Sequence, residues 1–173
     1  MKTTSSLSCS RPYGERLAPL LVKAMTTDIL ILRDPRESVK KCSLTPLRGR
    51  EGVEFLKFDP DKRYDASGRI LLHHEGELLS EADRGMALFL VDSSWRRLPK
   101  LLERVEGEPV RRRLPPLKTA YPRKSHFFDD PEPGLASIEA LYAAAHILYG
   151  PRPELLEGYR WAEEFLELNP TLA

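Results

Sequence analysis

The sequence predicts an α/β fold, and three observations predict it. The first is Leu88-Phe89-Leu90-Val91, four bulky apolar residues in a row, which fits a strand buried on both faces as in a parallel sheet. The second is a set of shorter strand-type runs ahead of it, at Ile29-Leu30-Ile31-Leu32, at residues 53–58 and at Ile70-Leu71-Leu72. The third is a pair of stretches at helical spacing near the C-terminus. Ile138, Leu141, Ala145 and Leu148 form one stretch, and Leu155, Tyr159, Ala162 and Leu166 the other.

The elements follow in chain order. Asp59-Pro60-Asp61-Lys62 supplies a turn after the second strand. Ser80 stands as an N-cap with Asp83 in the capping-box position, so a short helix begins there. Beyond the apolar run, Leu98, Leu101, Leu102 and Val105 recur at helical spacing, with Pro99 in a first turn where its missing N–H costs little. Pro115-Pro116 and residues 129–134 are loops. The next helix is capped by Ser137 and stopped by Gly150-Pro151, and the last helix packs beside it.

Composition excludes several classes. No apolar run approaches membrane-spanning length. The two cysteines, Cys9 and Cys42, make neither a disulfide framework nor a zinc site, so no metal is expected. The N-terminal residues are rich in Ser and Thr and lack the apolar core of a signal peptide. Residues 1–25 read as a disordered extension, or as residues upstream of a start at Met25. The small net charge hides a division. Residues 96–126 hold ten Lys and Arg against three Glu, and residues 127–173 hold two Arg against nine Asp and Glu. Either the basic middle holds a phosphate backbone, or it pairs with the acidic C-terminal helix.

The apolar run ends in Asp92-Ser93-Ser94-Trp95. A carboxylate and an indole just past a parallel strand sit where open α/β sheets place their ligand crevice. A solvated Asp and a core Trp fit the same four residues. His73-His74 follows a strand, and adjacent strand residues point to opposite faces, so the two are not expected to share a metal.

Further blocks stand in a fixed order around this motif. Upstream are Asp34-Pro35, Lys40-Lys41-Cys42-Ser43 and Ser80-Glu81-Ala82-Asp83-Arg84. Downstream are Arg113-Leu114-Pro115-Pro116-Leu117, then Leu135-Ala136-Ser137-Ile138-Glu139-Ala140, and finally a run from Tyr159 to Asn169. In order and spacing the chain resembles the small-subunit rRNA aminocarboxypropyltransferases, relatives of the DTW-domain tRNA enzymes, from about Ile29 onward. The resemblance implies a small N-terminal α/β region at 26–79 and a SPOUT-like domain at 80–173 that threads a trefoil knot and binds S-adenosylmethionine. It departs from the family at Ser93, where Cys is usual, and at the inserted Arg36-Glu37-Ser38-Val39. It departs most at residues 118–125, whose pattern is closer to the DTW-domain branch.

The resemblance also implies roles for named residues. Ser43 hydrogen-bonds the carboxylate end of the methionine arm of S-adenosylmethionine. Val91 and Leu114 contact the adenosine, and Ser137 adds a polar contact near the helix start. Trp95 walls the pocket beside the sulfonium, where an aromatic face favours a cation. Asp92 either accepts the proton of a base nitrogen or orients the base. The expected activity is transfer of the 3-amino-3-carboxypropyl group to a uridine or pseudouridine in RNA, small-subunit rRNA or a pre-ribosomal particle first and tRNA second. A SPOUT-type methyltransferase and a non-catalytic ribosome-assembly factor remain as rivals. The expected state is a cytoplasmic monomer without membrane contact.

Overall fold

The computed structural model describes residues 28–39, 42–122 and 134–173. The expected extension at 1–25, Lys40 and Lys41, Arg123 and Lys124, and residues 129–133 of the expected loop lie outside the described residues.

Ile29–Arg33 forms β1, and all five of its residues are buried. Val53–Lys57 forms β2, Tyr64–Asp65 β3, Arg69–Leu78 β4 and Ala87–Asp92 β5. Leu98–Leu102 is α1, followed by β6 at Val105–Glu106 and β7 at Val110–Arg113. Ser137–Tyr149 is α2 and Ala162–Leu168 is α3. Five strands form one parallel sheet in the order β2-β1-β5-β4-β7, while β3 and β6 pair in a separate parallel ladder. The apolar run Leu88-Phe89-Leu90-Val91 therefore lies in the central strand, as its composition predicts.

Side chains of the inner strands alternate between two cores. Ile29, Ile31, Ile70, Leu88 and Leu90 pack with Ile138, Leu141, Leu148 and Phe165. Leu30, Leu32, Leu71 and Phe89 point the other way, where Phe58, Tyr64 and Leu101 cover them. Both faces of β1 and β5 are thus dry, which is why neither strand shows polar alternation. Helix α2 ends at Gly150, whose φ of 87° few other residues adopt and whose N–H donates to the carbonyl of His146 at 2.8 Å.

Four expectations need correction. The helix expected through Val105 stops at Leu102, because Val105 leaves it to pair with Tyr64. The last helix begins only at Ala162, with a single 3-10 turn at Pro153–Leu155 before it. The Ser80 N–H does donate to Asp83 Oδ2 at 3.1 Å, but the segment is one 3-10 turn, Glu81–Asp83. Strand β7 was not expected at all, since Val110-Arg111-Arg112-Arg113 carries one apolar residue. Strand β1 pairs with β2 on one side and with β5 on the other, so residues 26–79 and 80–173 both contribute strands to the main sheet.

Candidate active site

The register of β1 against β5 builds the site. Arg33 and Asp92, the last residues of two adjacent parallel strands, are register partners. Arg33 Nε lies 3.4 Å from Asp92 Oδ2, with side-chain exposures of 10% and 13%. The guanidinium also donates to the carbonyl of Glu37 at 2.8 Å. The Asp34 N–H donates to the carbonyl of Asp92 at 2.9 Å, so the ladder runs one residue past the strand end.

Asp34 is fully buried and paired with the guanidinium of Arg97, and it accepts the Arg36 N–H at 3.1 Å. Burial alone raises its carboxyl; the Arg97 hydrogen bond, the Arg36 N–H and the charges of both arginines outweigh it and hold Asp34 below the usual carboxylate range. Arg97 follows Trp95 by two residues, so this pair fastens the turn carrying Trp95 to the end of β1.

Helix α2 delivers its N-terminus to the same edge. Ser137 is its first residue and donates its hydroxyl to Asp92 Oδ1 at 2.8 Å. Ser137 does not cap the helix as expected. The preceding residue, Ala136, has no side-chain acceptor, and Ser43 Oγ instead accepts the Ile138 N–H at 3.4 Å. Glu139, fully buried, accepts the N–H groups of Ala136 at 2.8 Å and Ala120 at 2.9 Å. It also accepts the hydroxyls of Thr119 at 2.6 Å and Tyr159 at 3.0 Å. Burial first, then the charge of Glu139 and its hydrogen bond, push the Tyr159 phenol far above its ordinary value, so it stays a donor.

Two clefts open beside this helix start. The first has a volume of about 550 Å³ and is lined by Val91, Trp95, Leu114 and Ser137 together with Leu72, Leu90 and Leu117. That size and its apolar walls suit a small organic ligand. Trp95 is 38% exposed and meets His74 edge-on, with ring centroids 5.4 Å apart. The second cleft, about 800 Å³, holds Ser43 and Cys42 beside Tyr121, Tyr159 and Trp161. So the structure gathers four of the six expected residues in one cleft and places Ser43 in its neighbour. Asp92 lines neither. It reaches the first cleft through Ser137 and the second through Cys42, whose Sγ is 3.8 Å from Oδ2.

His73 and His74 also reach the first cleft, by a bulge. Leu72 and Glu77 both oppose Arg112, so the four residues between them bow out of β4. Gly76 is required there, because a Cβ would stand 2.6 Å from the backbone of Arg111 and Arg112. The bulge corrects the expectation of opposite faces: the two imidazole centroids are 4.4 Å apart, and donor atoms of His73, His74 and Glu75 lie within 4.8 Å of one another. Burial, followed by the charges of His74 and Arg111, holds the His73 imidazole below its ordinary value against the opposing pull of Glu75.

Sequence reasoning missed Arg33, Arg97 and Glu139, and it set His74 aside as one of two alternating strand residues. One signal was present for Arg33: two apolar runs end in opposite charges, Ile29-Leu30-Ile31-Leu32-Arg33 and Leu88-Phe89-Leu90-Val91-Asp92. The basic middle pairs in part with carboxylates that precede it: Arg97 with Asp34, and Arg112 with Asp83 at 2.9 Å and Glu77 at 3.1 Å.

Comparison with known proteins now decides the family. The model described as "Ribosome biogenesis protein, C-terminal" matches residues 70–173, well over half of the chain. The chain belongs to this ribosome biogenesis family. The matched span contains Val91, Asp92, Trp95, Leu114 and Ser137, while Ser43 and Arg33 precede it. Among solved structures, the SAM-dependent rRNA:acp-transferase Tsr3 from Vulcanisaeta distributa superimposes with a TM-score of 0.64 and 26% sequence identity. The alignment covers 85% of this chain and 80% of that one, so this member of the family shares its mixed α/β fold. No curated protein sequence matches the chain. Among the described residues, no helix is long and apolar enough to cross a membrane.

Proposed function

We propose that this protein transfers the 3-amino-3-carboxypropyl group of S-adenosylmethionine to a uridine or pseudouridine of small-subunit rRNA. One observation carries the reading. Val91, Trp95, Leu114 and Ser137 converge on a single cleft at the C-terminal edge of the sheet, in a chain that is similar over 85% of its length to an rRNA:acp-transferase.

The lining fits the ligand. Leucines and Val91 offer apolar walls to an adenosine; Ser137, whose hydroxyl proton goes to Asp92, offers oxygen lone pairs to the ammonium of the methionine arm, and the helix N-terminus beside it favours the carboxylate. When bound, S-adenosylmethionine supplies a sulfonium whose γ-carbon takes the ring nitrogen and whose thioether leaves as methylthioadenosine. Presenting that carbon rather than the methyl is a matter of position, so the residues that fix the two ends of the ligand set the reaction. Val91 and Leu114 hold the adenosine end. Ser43 and Ser137, on the two sides of the α2 N-terminus, hold the amino-acid end. Trp95 presents its ring to the positive charge, and its edge contact with His74 keeps the indole from turning away.

Asp92 has two possible tasks, accepting the proton of the attacking nitrogen or orienting the groups around it. Its engagement by Ser137 on one oxygen and Arg33 on the other favours orientation. In Asp92→Asn, an unchanged pH–rate profile with reduced kcat supports orientation, and loss of the acidic limb supports proton transfer.

The same reading extends to the finer architecture. Residues 26–79 supply the Ser43 wall, and residues 80–173 form a SPOUT-like unit whose chain threads a trefoil knot. The order of the sequence blocks from about Ile29 onward, which resembles that family's, supports it. The chain trace of a crystal structure tests it, and an unknotted path rejects it. The protein works as a cytoplasmic monomer on a pre-ribosomal particle, which light scattering and cell fractionation check.

The activity is tested with S-adenosylmethionine labelled in the methyl group or in the carboxyl carbon, offered with small-subunit RNA and with tRNA. Carboxyl label entering small-subunit RNA without methyl label supports the proposal. Entry into tRNA alone transfers it to the tRNA enzymes, methyl label alone makes the protein a methyltransferase, and absence of cofactor binding leaves an assembly factor.

A further inference from the structure

Beyond its Ser43 edge, the second cleft is not accounted for by a cofactor held in the first. Its floor is aromatic: Tyr121, Tyr159 and Trp161 line it together, with Tyr121 and Trp161 in edge contact at 5.1 Å and Tyr159 and Trp161 at 5.7 Å. The Tyr159 hydroxyl is turned inward onto Glu139, so that residue offers the cleft ring rather than polar surface. At the rim the Arg160 guanidinium lies 5.5 Å from the Trp161 ring centroid and makes no ion pair among the described residues. The other two charges of the lining, Arg50 and Glu157, neutralise each other at 2.8 Å. The described lining is therefore an aromatic surface carrying one uncompensated cation.

Ring faces beside an arginine suit an unstacked nucleobase attached to a phosphate. Every base has a π-face to stack, and the guanidinium meets the backbone charge. An apolar peptide uses the rings but leaves Arg160 without a partner. The cleft's position adds to the argument. Ser43 and Cys42 line it, and Cys42 touches Asp92, whose other oxygen holds Ser137 of the first cleft. Asp92 thus touches a lining residue of each cleft.

We infer that the Tyr121–Trp161 cleft is the RNA-binding half of the active site, receiving an unstacked nucleotide of the single-stranded substrate while the first cleft holds the cofactor. The inference rests on the transferase reading for the name of the reaction, and on the cleft itself for the nucleotide.

The test uses a small-subunit RNA fragment carrying 4-thiouridine, irradiated with the full-length protein and mapped by mass spectrometry. Crosslinks on Tyr121, Tyr159 or Trp161 are expected. Binding of the same RNA is then measured for Arg160→Ala, Trp161→Ala and Trp161→Phe, beside calorimetry of S-adenosylmethionine. Arg160 is exposed, so its variant folds irrespective of packing. RNA affinity falls about tenfold in Arg160→Ala and in Trp161→Ala, and Trp161→Phe restores most of it, while cofactor affinity holds within about twofold. Crosslinks confined to the β7 arginines, or RNA affinity unchanged in Arg160→Ala and Trp161→Ala, overturn the inference. So does cofactor affinity lost in Trp161→Ala with RNA binding intact, which gives the cleft to the cofactor. Crosslinking at these rings without any group transfer sustains the RNA cleft and rejects the transferase reading instead.

Discussion

Ser43 carries two jobs that a single substitution separates. Its Oγ accepts the Ile138 N–H and so caps α2 from a position 95 residues away in sequence, and in the proposed mechanism the same hydroxyl meets the carboxylate of the ligand. Aspartate is an equal or better N-cap, and its charge is favoured at a helix N-terminus. It also repels an incoming carboxylate. Ser43→Asp is therefore expected to keep or slightly raise Tm in a thermal melt while calorimetry shows cofactor binding reduced by at least about tenfold. Equal loss of both properties means that Ser43 serves the fold alone. Glu139 is the opposite case, a residue whose work is structural. Glutamine in its place keeps one carbonyl acceptor but turns an NH₂ toward donors that the carboxylate now accepts. Glu139→Gln is expected to cost about 2–4 kcal/mol in denaturant unfolding; a change under about 0.5 kcal/mol contradicts the four-donor network.

At the scale of elements, the β4 bulge carries the site's pH signature in the histidine range. The His73 imidazole is held below its ordinary value chiefly by burial. Above about pH 6.5 neither the folded nor the unfolded chain protonates it, and the group is silent. As pH falls through that value the unfolded chain takes up a proton that the folded chain refuses, so stability declines until the folded value is reached. Urea midpoints measured from about pH 8 to about pH 5.5 should fall for the native sequence and fall less for His73→Gln; identical slopes reject the buried-imidazole account. This element was illegible in sequence. His73-His74 reads as two alternating strand residues, and only the register slip opposite Arg112, together with a backbone approach that Gly76 alone permits, turns both rings to one cleft. Strand β7 was hidden for a related reason. It is an edge strand in which Arg111 and Arg113 are exposed and Arg112 is held by Asp83 and Glu77, so it lacks the apolar signal that marked β1 and β5.

For the whole molecule, the α/β class and the central strand were legible because burial on two faces leaves a continuous apolar run, as at Leu88-Phe89-Leu90-Val91. The members of the candidate cleft were legible through motif order. Their supports were not, because each is a long-range event. Arg33 meets Asp92 only once β1 and β5 pair in register, and Arg97 finds Asp34 across 63 residues. The central claim is a claim about which bond to sulfur breaks, and the co-product reports it directly. The protein, S-adenosylmethionine and unmodified small-subunit RNA are incubated together, and the small molecules and RNA nucleosides are quantified by mass spectrometry. The account predicts methylthioadenosine in equal amount to a uridine or pseudouridine made heavier by the aminocarboxypropyl group. S-adenosylhomocysteine accompanied by a methylated nucleoside contradicts it.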